Sequence, residues 1–218
     1  MKTEAICKEL HDIFNGLKRK KFTKEDIDGI GYENGIYIIF ENGEKAHHRC
    51  RIVRIGTHSK PNNLIKRLNS HRINSGATVF RNKVGCAILN KNNPKDPDLE
   101  KWYTFKSLNK CIKKDKLYNI RKQVSDHIIN NMSFVSFRVD KISKEEFGTL
   151  YWEAKLISTI AKCNNCCSSD KWLGKKMPNL GNLESAKKSG LWLSKELESE
   201  ILTPKELEKL KKIINKSI

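Results

Sequence analysis

The sequence predicts a mixed α/β (α+β) protein with a small central sheet of three antiparallel or mixed strands, flanked by helices. Segments rich in β-branched and aromatic residues alternate with segments whose apolar residues recur at helical spacing. The predicted order is helix, two strands joined by a hairpin, helix, a helical insertion, a third strand, and further helices. A chain of 218 residues suits one domain with additions and can bury a core without cross-links.

The first 30 residues predict a helical extension ahead of the core, residues 1–30. Residues 4–19 place apolar side chains at the spacing of an amphipathic helix. Thr23 is followed closely by two acidic residues and an isoleucine, which predicts a short second helix.

Three segments predict the strands of the core, which we place at residues 31–193. Residues 35–41 (GIYIIFE) and 49–56 (RCRIVRIG) are rich in β-branched residues. Asn42-Gly43 between them predicts a hairpin turn, because both residues tolerate positive φ. Residues 134–142 (FVSFRVDKI) alternate apolar with polar side chains and predict the third strand.

Helices are predicted between these strands. Asn63 is a candidate N-cap for a helix over 64–72, and the ambiguous residues 78–89 favour a helix. Residues 99–131 also have a helical pattern, so we infer a helical insertion at about 95–131.

Further helices are predicted after the third strand. Ser143, with Glu146 three residues later, forms the pattern of a capping box and predicts a helix to about Cys163. Residues 164–190 are rich in Gly, Asn, Ser and Lys and predict mostly loop. Within residues 194–218, Thr203-Pro204 predicts the start of a C-terminal helix.

The net charge of +18 indicates a polyanionic partner, because self-repulsion of this size opposes compaction unless a partner offsets it. Nucleic acid is favoured, since its phosphates give affinity through counterion release. A general bias toward lysine would also raise the charge. It does not explain the 51 residues from Lys45 to Lys95, which hold twelve Lys or Arg and no Asp or Glu. We expect this acid-free stretch to form a surface that does not repel phosphate.

A second basic block covers residues 101–122, with eight Lys or Arg against one Asp. It also holds four aromatic residues, for which packing in the core is favoured over stacking on bases. These are Trp102, Tyr103, Phe105 and Tyr118.

Composition also suggests a compartment. No stretch reaches the roughly 20 apolar residues of a membrane span, and the first residues lack the apolar region of a signal peptide. Seven cysteines, an odd number, fit a reducing compartment better than a disulfide framework. We therefore expect a cytoplasmic protein with no membrane partner.

Arg67 and His71 are candidates for chemistry in the helix over 64–72. They are four residues apart and share one face, at the edge of the apolar stripe formed by Leu64 and Leu68. An arginine there can bind phosphate through two hydrogen bonds, and a histidine one turn later can move a proton. The alternative is a solvated basic helix face.

Glu153 is a candidate metal ligand. It lies beside Leu150 and Ile157 of an apolar helical stripe rather than on the opposite face. A carboxylate held partly out of water is unfavourable unless it meets a cation. Mg²⁺ would serve, since it takes one or two carboxylates and keeps water ligands for chemistry. The alternative is an ion pair with Lys141 or Lys155.

Together these motifs resemble the GIY-YIG nuclease family. Gly35-Ile36-Tyr37 stands as the GIY motif at the start of a strand, and Arg54-Ile55-Gly56 occupies the YIG position after the hairpin. Arg67 and His71, in Arg-Leu-Asn-Ser-His, resemble the Arg-x-x-x-His pair of the restriction-enzyme branch. Glu153, in Tyr-Trp-Glu-Ala-Lys, matches the metal-binding glutamate on the helix after the third strand.

Other residues are similar to an uncharacterised bacterial subgroup of that family. These are the run Arg-Ile-Gly-Thr-His at 54–58, Phe80-Arg81, and Trp172-Leu173-Gly174. The resemblance covers about residues 33–93 and 132–193.

The resemblance implies a metal-dependent DNA endonuclease. Glu153 would hold Mg²⁺ or Mn²⁺, and Arg67 would stabilise the charge on the phosphorane. Tyr37 would orient or deprotonate the attacking water, with His71 as proton acceptor or partner, and His58 is a weaker candidate for the role of His71. Which of Tyr37 and His71 is the base stays open.

Arg54 replaces the tyrosine of the YIG motif. A guanidinium keeps its protons near neutral pH, so Arg54 can bind phosphate but cannot act as a base. The active-site asparagine of the family has two candidates, Asn164 and Asn165. Phosphate contacts to nucleic acid are expected from basic residues, namely Arg54, His58, Lys66, Arg72 and Arg81.

Cys163, Cys166 and Cys167 include the C-x-x-C spacing of a zinc half-site. No second pair of matching spacing follows, and the nearest ligand-rich stretch, residues 47–50, lies far back in the sequence. Ordinary packing is therefore favoured over a metal site here.

The leading hypothesis is a restriction-like endonuclease acting on double-stranded DNA, with a homodimer as one way to cut both strands. A structure-selective repair or recombination nuclease is the alternative within the enzyme class. A nucleic-acid-binding module without activity is the alternative outside it. Such a module has no need of the carboxylate of Glu153, which favours an enzyme.

Overall fold

The computed structural model describes residues 2–73, 78–104 and 112–217. Part of the predicted insertion, residues 105–111 with Phe105, lies outside them. In chain order the described elements are α1 (Lys2–Gly16), β1 (Lys20–Lys21), α2 (Lys24–Asp28), β2 (Gly35–Ala46), β3 (Arg49–Gly56), α3 (Leu64–Arg72), α4 (Val79–Asn92), α5 (Leu99–Thr104), α6 (Lys114–Asn131), β4 (Met132–Arg138), α7 (Thr149–Ala161), α8 (Asn182–Ser189) and α9 (Pro204–Asn215).

The strands form one antiparallel sheet in the order β1-β4-β2-β3. The three predicted strands are present, so the mixed α/β class is confirmed. The sheet has four strands rather than three, because the two residues of β1 pair with β4 at Lys20↔Phe134. Two residues are too few to show a strand periodicity, which is why the sequence did not indicate β1.

The predicted hairpin turn at Asn42-Gly43 is wrong. Strand β2 continues to Ala46, and the turn is made by His47 and His48, which have φ of 51° and 62°. The pairing shifts between Phe40 and Lys45, so Asn42-Gly43 lies in an irregular stretch of β2. Gly43 adopts a φ of 86° there. A glycine is therefore favoured at this position because of a bulge in the strand, not because of a hairpin turn.

The sheet separates two apolar cores. Tyr37 and Ile39 of β2 face the core that contains residues of α3, α4 and α6. Ile36 and Ile38 face the core that contains residues of α1, α7 and α9. Successive side chains of a strand point to opposite faces of the sheet. Both faces of β2 are covered by apolar cores, and this explains why its sequence is a continuous apolar run rather than an alternating one.

Several predicted helix starts are confirmed. The Thr23 side chain caps α2, Thr78 caps α4, and Thr203 forms a capping box at α9. Helix α3 covers the predicted residues 64–72, although the Asn63 side chain makes no cap hydrogen bond. None of the described helices is long and apolar enough to cross a bilayer.

The predicted capping box at Ser143 is wrong. Helix α7 begins at Thr149 with Gly148 as its N-cap. The Ser143 carbonyl accepts the amide of Leu150 at 3.1 Å, so the chain folds back on itself before α7. Gly148 is needed in this turn, because a Cβ there would lie 2.4 Å from the Ser143 oxygen. Farther on, the region predicted as mostly loop contains α8.

Candidate active site

The candidate site lies where β2 begins and β3 ends. The Thr57 hydroxyl donates to the Gly35 carbonyl at 2.7 Å, which joins the two strand ends. Gly35 also packs against β4, and a Cβ at this position would lie 2.3 Å from the Phe137 carbonyl oxygen. The glycine of the GIY motif therefore permits a close approach of backbones that any side chain would prevent.

Tyr37 and His71 meet inside the protein. Tyr37 Oη and His71 Nε2 are 2.8 Å apart, and both side chains are fully buried. Gly56 lies against the same hydroxyl, since a Cβ there would lie 2.3 Å from Tyr37 Oη. The burial of His71 shows that this side of α3 is not a solvated basic face, the alternative considered above.

His71 is neutral near pH 7. Burial, followed by the charges of Arg54, Arg67 and Arg81, lowers the pKa of His71 well below its ordinary value of 6.5. The other ring nitrogen, Nδ1, lies 3.3 Å from the Thr78 hydroxyl. With the proton on Nδ1, Nε2 is free to accept the hydroxyl proton of Tyr37.

Glu153 on α7 reaches the end of β3. Its Oε1 accepts the Thr57 amide at 3.0 Å, the one donor that the described residues supply to this carboxylate. Lys141 and Lys155 pair instead with Glu145, Glu200 and Glu206. The alternative of an ion pair with Glu153 is therefore wrong.

The charge on Glu153 is unfavourable without a further cation. Burial raises the pKa of Glu153 above 4.5, while the charge of Arg54, the Thr57 amide and the charge of Arg67 act in the opposite direction. The net shift is upward, so the protein groups present do not fully compensate for the lost hydration.

Arg54 and Arg67 each place a hydrogen-bond donor without an acceptor at the site. Arg54 donates from Nη1 to the Trp192 carbonyl at 2.6 Å, and its guanidinium lies 4.9 Å from the centre of the Phe80 ring. The Nε atoms of both arginines are buried and have no partner among the residues that the structure describes. A buried donor without an acceptor is unfavourable by about 1–3 kcal/mol, so a bound anion would stabilise this arrangement.

His58 is not brought to the solvent side of the site. It is buried, with its Nε2 accepting the Gly35 amide at 3.2 Å and its Nδ1 donating to the Lys60 carbonyl at 2.6 Å. Both ring nitrogens are thus engaged with backbone. This placement favours a role in holding the loop after β3 over a contact with phosphate.

Arg81 is also internal. It is 3% exposed and donates to the carbonyls of His71, Arg72 and Arg121 and to the Ser125 hydroxyl. The expected contact with nucleic acid does not fit this placement. Lys66 is exposed and Arg72 is half-buried on α3, so these two residues remain available.

Asn164 and Asn165 lie away from the site. Both are exposed in the short 3-10 helix Asn164–Cys166. Glu153 lies in the second turn of α7, and at about 1.5 Å per residue the helix separates it from Asn164 by roughly 15 Å. The structure therefore does not place either asparagine beside Tyr37 and His71.

The sequence reasoning missed three residues that border the site. The Thr57 amide holds Glu153, and the Thr78 hydroxyl lies against His71. Lys83 is buried near Arg54, and burial, followed by the Arg54 charge, lowers its pKa to about 8. Thr57 directly follows Gly56 and Lys83 lies in the acid-free stretch, but neither signal indicates a function by itself.

The fold and the site define a mixed α/β protein in which two arginines, a half-buried carboxylate and a buried tyrosine–histidine pair lie near the start of β2 and the end of β3. The chain belongs to the GIY-YIG domain family, whose profile matches residues 4–218. The match therefore includes both terminal helices, and membership of the family points to nuclease activity. A search of curated proteins and a search of solved structures each found no match.

Proposed function

We propose that this protein is a metal-dependent endonuclease that hydrolyses phosphodiester bonds in DNA. The observation that carries the proposal is the Tyr37–His71 hydrogen bond at 2.8 Å, formed beside Arg54, Arg67 and Glu153. Phosphodiester hydrolysis requires proton transfer and charge stabilisation, and a metal ion held by a carboxylate usually assists both.

The carboxylate of Glu153 fits a divalent cation. One of its oxygens accepts the Thr57 amide, and burial raises its pKa, so a cation would remove an existing penalty. Mg²⁺ or Mn²⁺ suits a site with one carboxylate, because these hard ions retain water ligands. When bound, the ion would neutralise charge on the phosphate and on the leaving oxygen.

Tyr37 is the group that would take a proton from the attacking water. Both nitrogens of His71 are engaged, with Tyr37 and Thr78, so His71 has no free nitrogen for water. The Tyr37 oxygen still has a lone pair, and because Tyr37 is buried, the attacking water would have to enter the site together with the phosphate. As water attacks phosphorus, its proton passes to Tyr37, and the hydroxyl proton of Tyr37 passes to His71 Nε2. The bond from phosphorus to the leaving oxygen breaks, and that oxygen takes a proton from solvent.

Arg54 and Arg67 would bind the phosphate and stabilise the charge that develops on it. Arg54 is held in place by the Trp192 carbonyl and the Phe80 ring, so it needs little reorganisation when substrate binds. It stands in the position of the family tyrosine and supplies positive charge instead of a hydroxyl. Arg67 approaches the same region from α3.

DNA is the proposed substrate because the acid-free stretch from Lys45 to Lys95 supplies Arg54, Arg67 and His71 to this site. Some of its cations are internal, such as Arg51 and Arg81, but Lys60, Lys66 and Lys91 are exposed. Together with the net charge of +18, they favour association with a duplex. A restriction-like role, with a homodimer cutting both strands, is the first candidate, and a structure-selective nuclease is the second.

The test is cleavage of supercoiled plasmid with Mg²⁺ or Mn²⁺ by wild type, Glu153→Gln and Arg67→Ala. Each variant should cut at least ~10²-fold more slowly, whereas the control Glu146→Gln, an exposed carboxylate on the approach to α7, should match wild type. Wild type that binds DNA with a steep salt dependence but never cuts DNA or RNA would instead establish a binding module. Products with one end sequence support the restriction-like role, and preference for branched DNA supports the structure-selective one.

A further inference from the structure

A second cluster of reactive side chains lies at the far end of the β2–β3 hairpin from the candidate active site. Cys7 and His11 come from α1, His47 from the turn after β2, and Cys163 and Cys166 from the segment after α7. The ligand atoms of Cys7, His11, His47 and Cys166 all lie within 4.8 Å of one another. The cluster therefore joins segments that are far apart in the sequence.

Four of these side chains can act as ligands together. Cys7 Sγ is 3.1 Å from Cys166 Sγ, and Cys163 Sγ is 3.3 Å from His47 Nε2. Cys163 also interacts with the thiols of Cys7 and Cys166. Four ligand atoms around tetrahedral zinc are about 3.5–3.8 Å apart, so small side-chain shifts would bring these atoms to the required spacing.

His11 is already satisfied by the protein. Its Nδ1 donates to the Cys7 carbonyl at 2.9 Å, and its Nε2 accepts the Ile52 amide at 3.3 Å. A neutral imidazole has one donor and one acceptor, and both are used here. His11 therefore orients the segment that carries Cys7 and is not a ligand itself.

We propose that Cys7, His47, Cys163 and Cys166 bind one structural zinc ion in a tetrahedral site. Each thiol loses its proton to solvent as its sulfur bonds to the metal. Thiolate and imidazole ligands select zinc over Mg²⁺ or Ca²⁺, which prefer oxygen. The ion is thus distinct from the one proposed at Glu153.

The three cysteines are buried and packed in the apolar core of α1, α7 and α9. A structural zinc site is closed in this way and has no open position for substrate.

The zinc site would fix the end of α7. Cys163 and Cys166 follow this helix directly, and Glu153 lies near its other end. Through the ion, Cys7 would connect the end of α7 to α1, and His47 would connect it to the β2–β3 hairpin. The ion would therefore hold the carboxylate-bearing helix in register with β2 and β3.

The neighbouring residues supply matched controls. Cys167 adjoins Cys166 but is exposed, and its thiol lies against the Asn164 carbonyl at 3.1 Å. His48 adjoins His47 in the same turn and is also exposed.

The experiment measures metal content by mass spectrometry in untagged protein purified under reducing conditions without chelators. Wild type, Cys167→Ser and His48→Ala should each hold one zinc per chain, whereas Cys166→Ser and His47→Ala should lose it. The conservative variant His47→Cys should retain zinc. Retention of zinc by His47→Ala together with its loss in His11→Ala would overturn the ligand assignment.

A second measurement does not depend on variants that fold. Zinc is removed from wild type and replaced by Co²⁺, which should produce the visible bands of a tetrahedral site and a thiolate-to-cobalt charge-transfer band. Wild type that holds no zinc and gives no such spectrum would overturn the proposal. A Cys7–Cys166 disulfide found in freshly purified wild type would overturn it as well.

Discussion

Tyr37 Oη and His71 Nε2 lie 2.8 Å apart, and both side chains are fully buried. A hydrogen bond in such surroundings is stronger than in water, and each partner becomes unfavourable if the other is removed. The pair therefore contributes to stability as well as to the proposed proton transfer. The two contributions can be separated by experiment.

Tyr37→Phe should reduce plasmid cleavage by ~10²–10⁴-fold, because the group that takes the proton from water is removed. It should also lower the free energy of unfolding by about 1 kcal/mol, because His71 loses its partner. Cleavage is measured under single-turnover conditions, and stability is measured by urea denaturation.

The control for this variant is Tyr32→Phe. The Tyr32 hydroxyl donates to the Ser136 hydroxyl at 2.7 Å and has no part in the proposed proton transfer, so its loss should lower stability by a similar amount and leave cleavage unchanged. Equal losses of cleavage in the two variants would show that Tyr37 acts only through stability.

Glu153→Gln should stabilise the protein in the absence of divalent metal. Burial raises the pKa of Glu153 above its unfolded value of 4.5, so stability falls as pH rises through the folded-state pKa. The penalty is present at neutral pH, and glutamine avoids it while still accepting the Thr57 amide. We expect the free energy of unfolding to increase by about 1 kcal/mol near neutral pH.

Addition of Mg²⁺ should reverse the order of stability. The ion binds the folded wild type and should raise its melting temperature, whereas Glu153→Gln should respond no more than to an equal ionic strength of NaCl. If Mg²⁺ raised the melting temperature of both proteins by the same amount, Glu153 would not be the ligand.

Local pattern was sufficient to predict how Arg67 and His71 are arranged on α3. Arg67 and His71 share a face of α3 because they are four residues apart, and α3 covers the predicted residues 64–72. The partner of His71 could not be predicted, since Tyr37 lies 34 residues earlier. Only the register of the sheet against α3 brings the two side chains together.

The cysteine–histidine cluster and Arg81 show a different limit of sequence reasoning. Cys7 and Cys166 are separated by 159 residues, so the spacing of Cys163 and Cys166 indicated only half of a site. Arg81 lies in a basic, acid-free stretch and was expected on the surface. Its guanidinium is buried where it donates hydrogen bonds to carbonyl oxygens at the end of α3, and the C-terminal end of a helix attracts a cation.

The stability of the protein should fall in weakly acidic solution through His71. Its folded-state pKa is well below the unfolded value of 6.5, so between these two values the unfolded state binds more protons. Stability then decreases as pH falls below about 6.5, by up to about 1.4 kcal/mol per pH unit. Urea denaturation between about pH 7.5 and about pH 5.5 measures this slope.

His71→Gln should reduce that slope whatever its effect on stability at neutral pH, because glutamine does not titrate. Part of the slope should remain, because burial also lowers the pKa of His11, to about 4. The exposed His48 provides the control, and His48→Gln should retain the slope of wild type. If the wild-type and His71→Gln slopes agree, His71 is not held neutral by burial.

Arg81 should contribute much more than Arg72 to the free energy of unfolding, although both belong to the same acid-free stretch. Arg81→Ala removes a buried guanidinium that donates to three carbonyls and one hydroxyl. Because hydrogen bonds from charged groups contribute about 1.5–3 kcal/mol each, we expect a loss of at least ~3 kcal/mol in the free energy of unfolding. Arg72→Ala and Lys66→Ala should change stability by less than about 0.5 kcal/mol.

For DNA binding we expect the opposite order: Arg72 and Lys66 should contribute to affinity, and Arg81 should not. Each of Arg72→Ala and Lys66→Ala should weaken binding to any sequence and reduce the slope of log affinity against log salt by about 1. Arg81→Ala, measured at a temperature where it remains folded, should keep the wild-type slope because its guanidinium never reaches the phosphate. A reduced slope for Arg81→Ala would instead mean that α3 and α6 separate on DNA and expose this guanidinium.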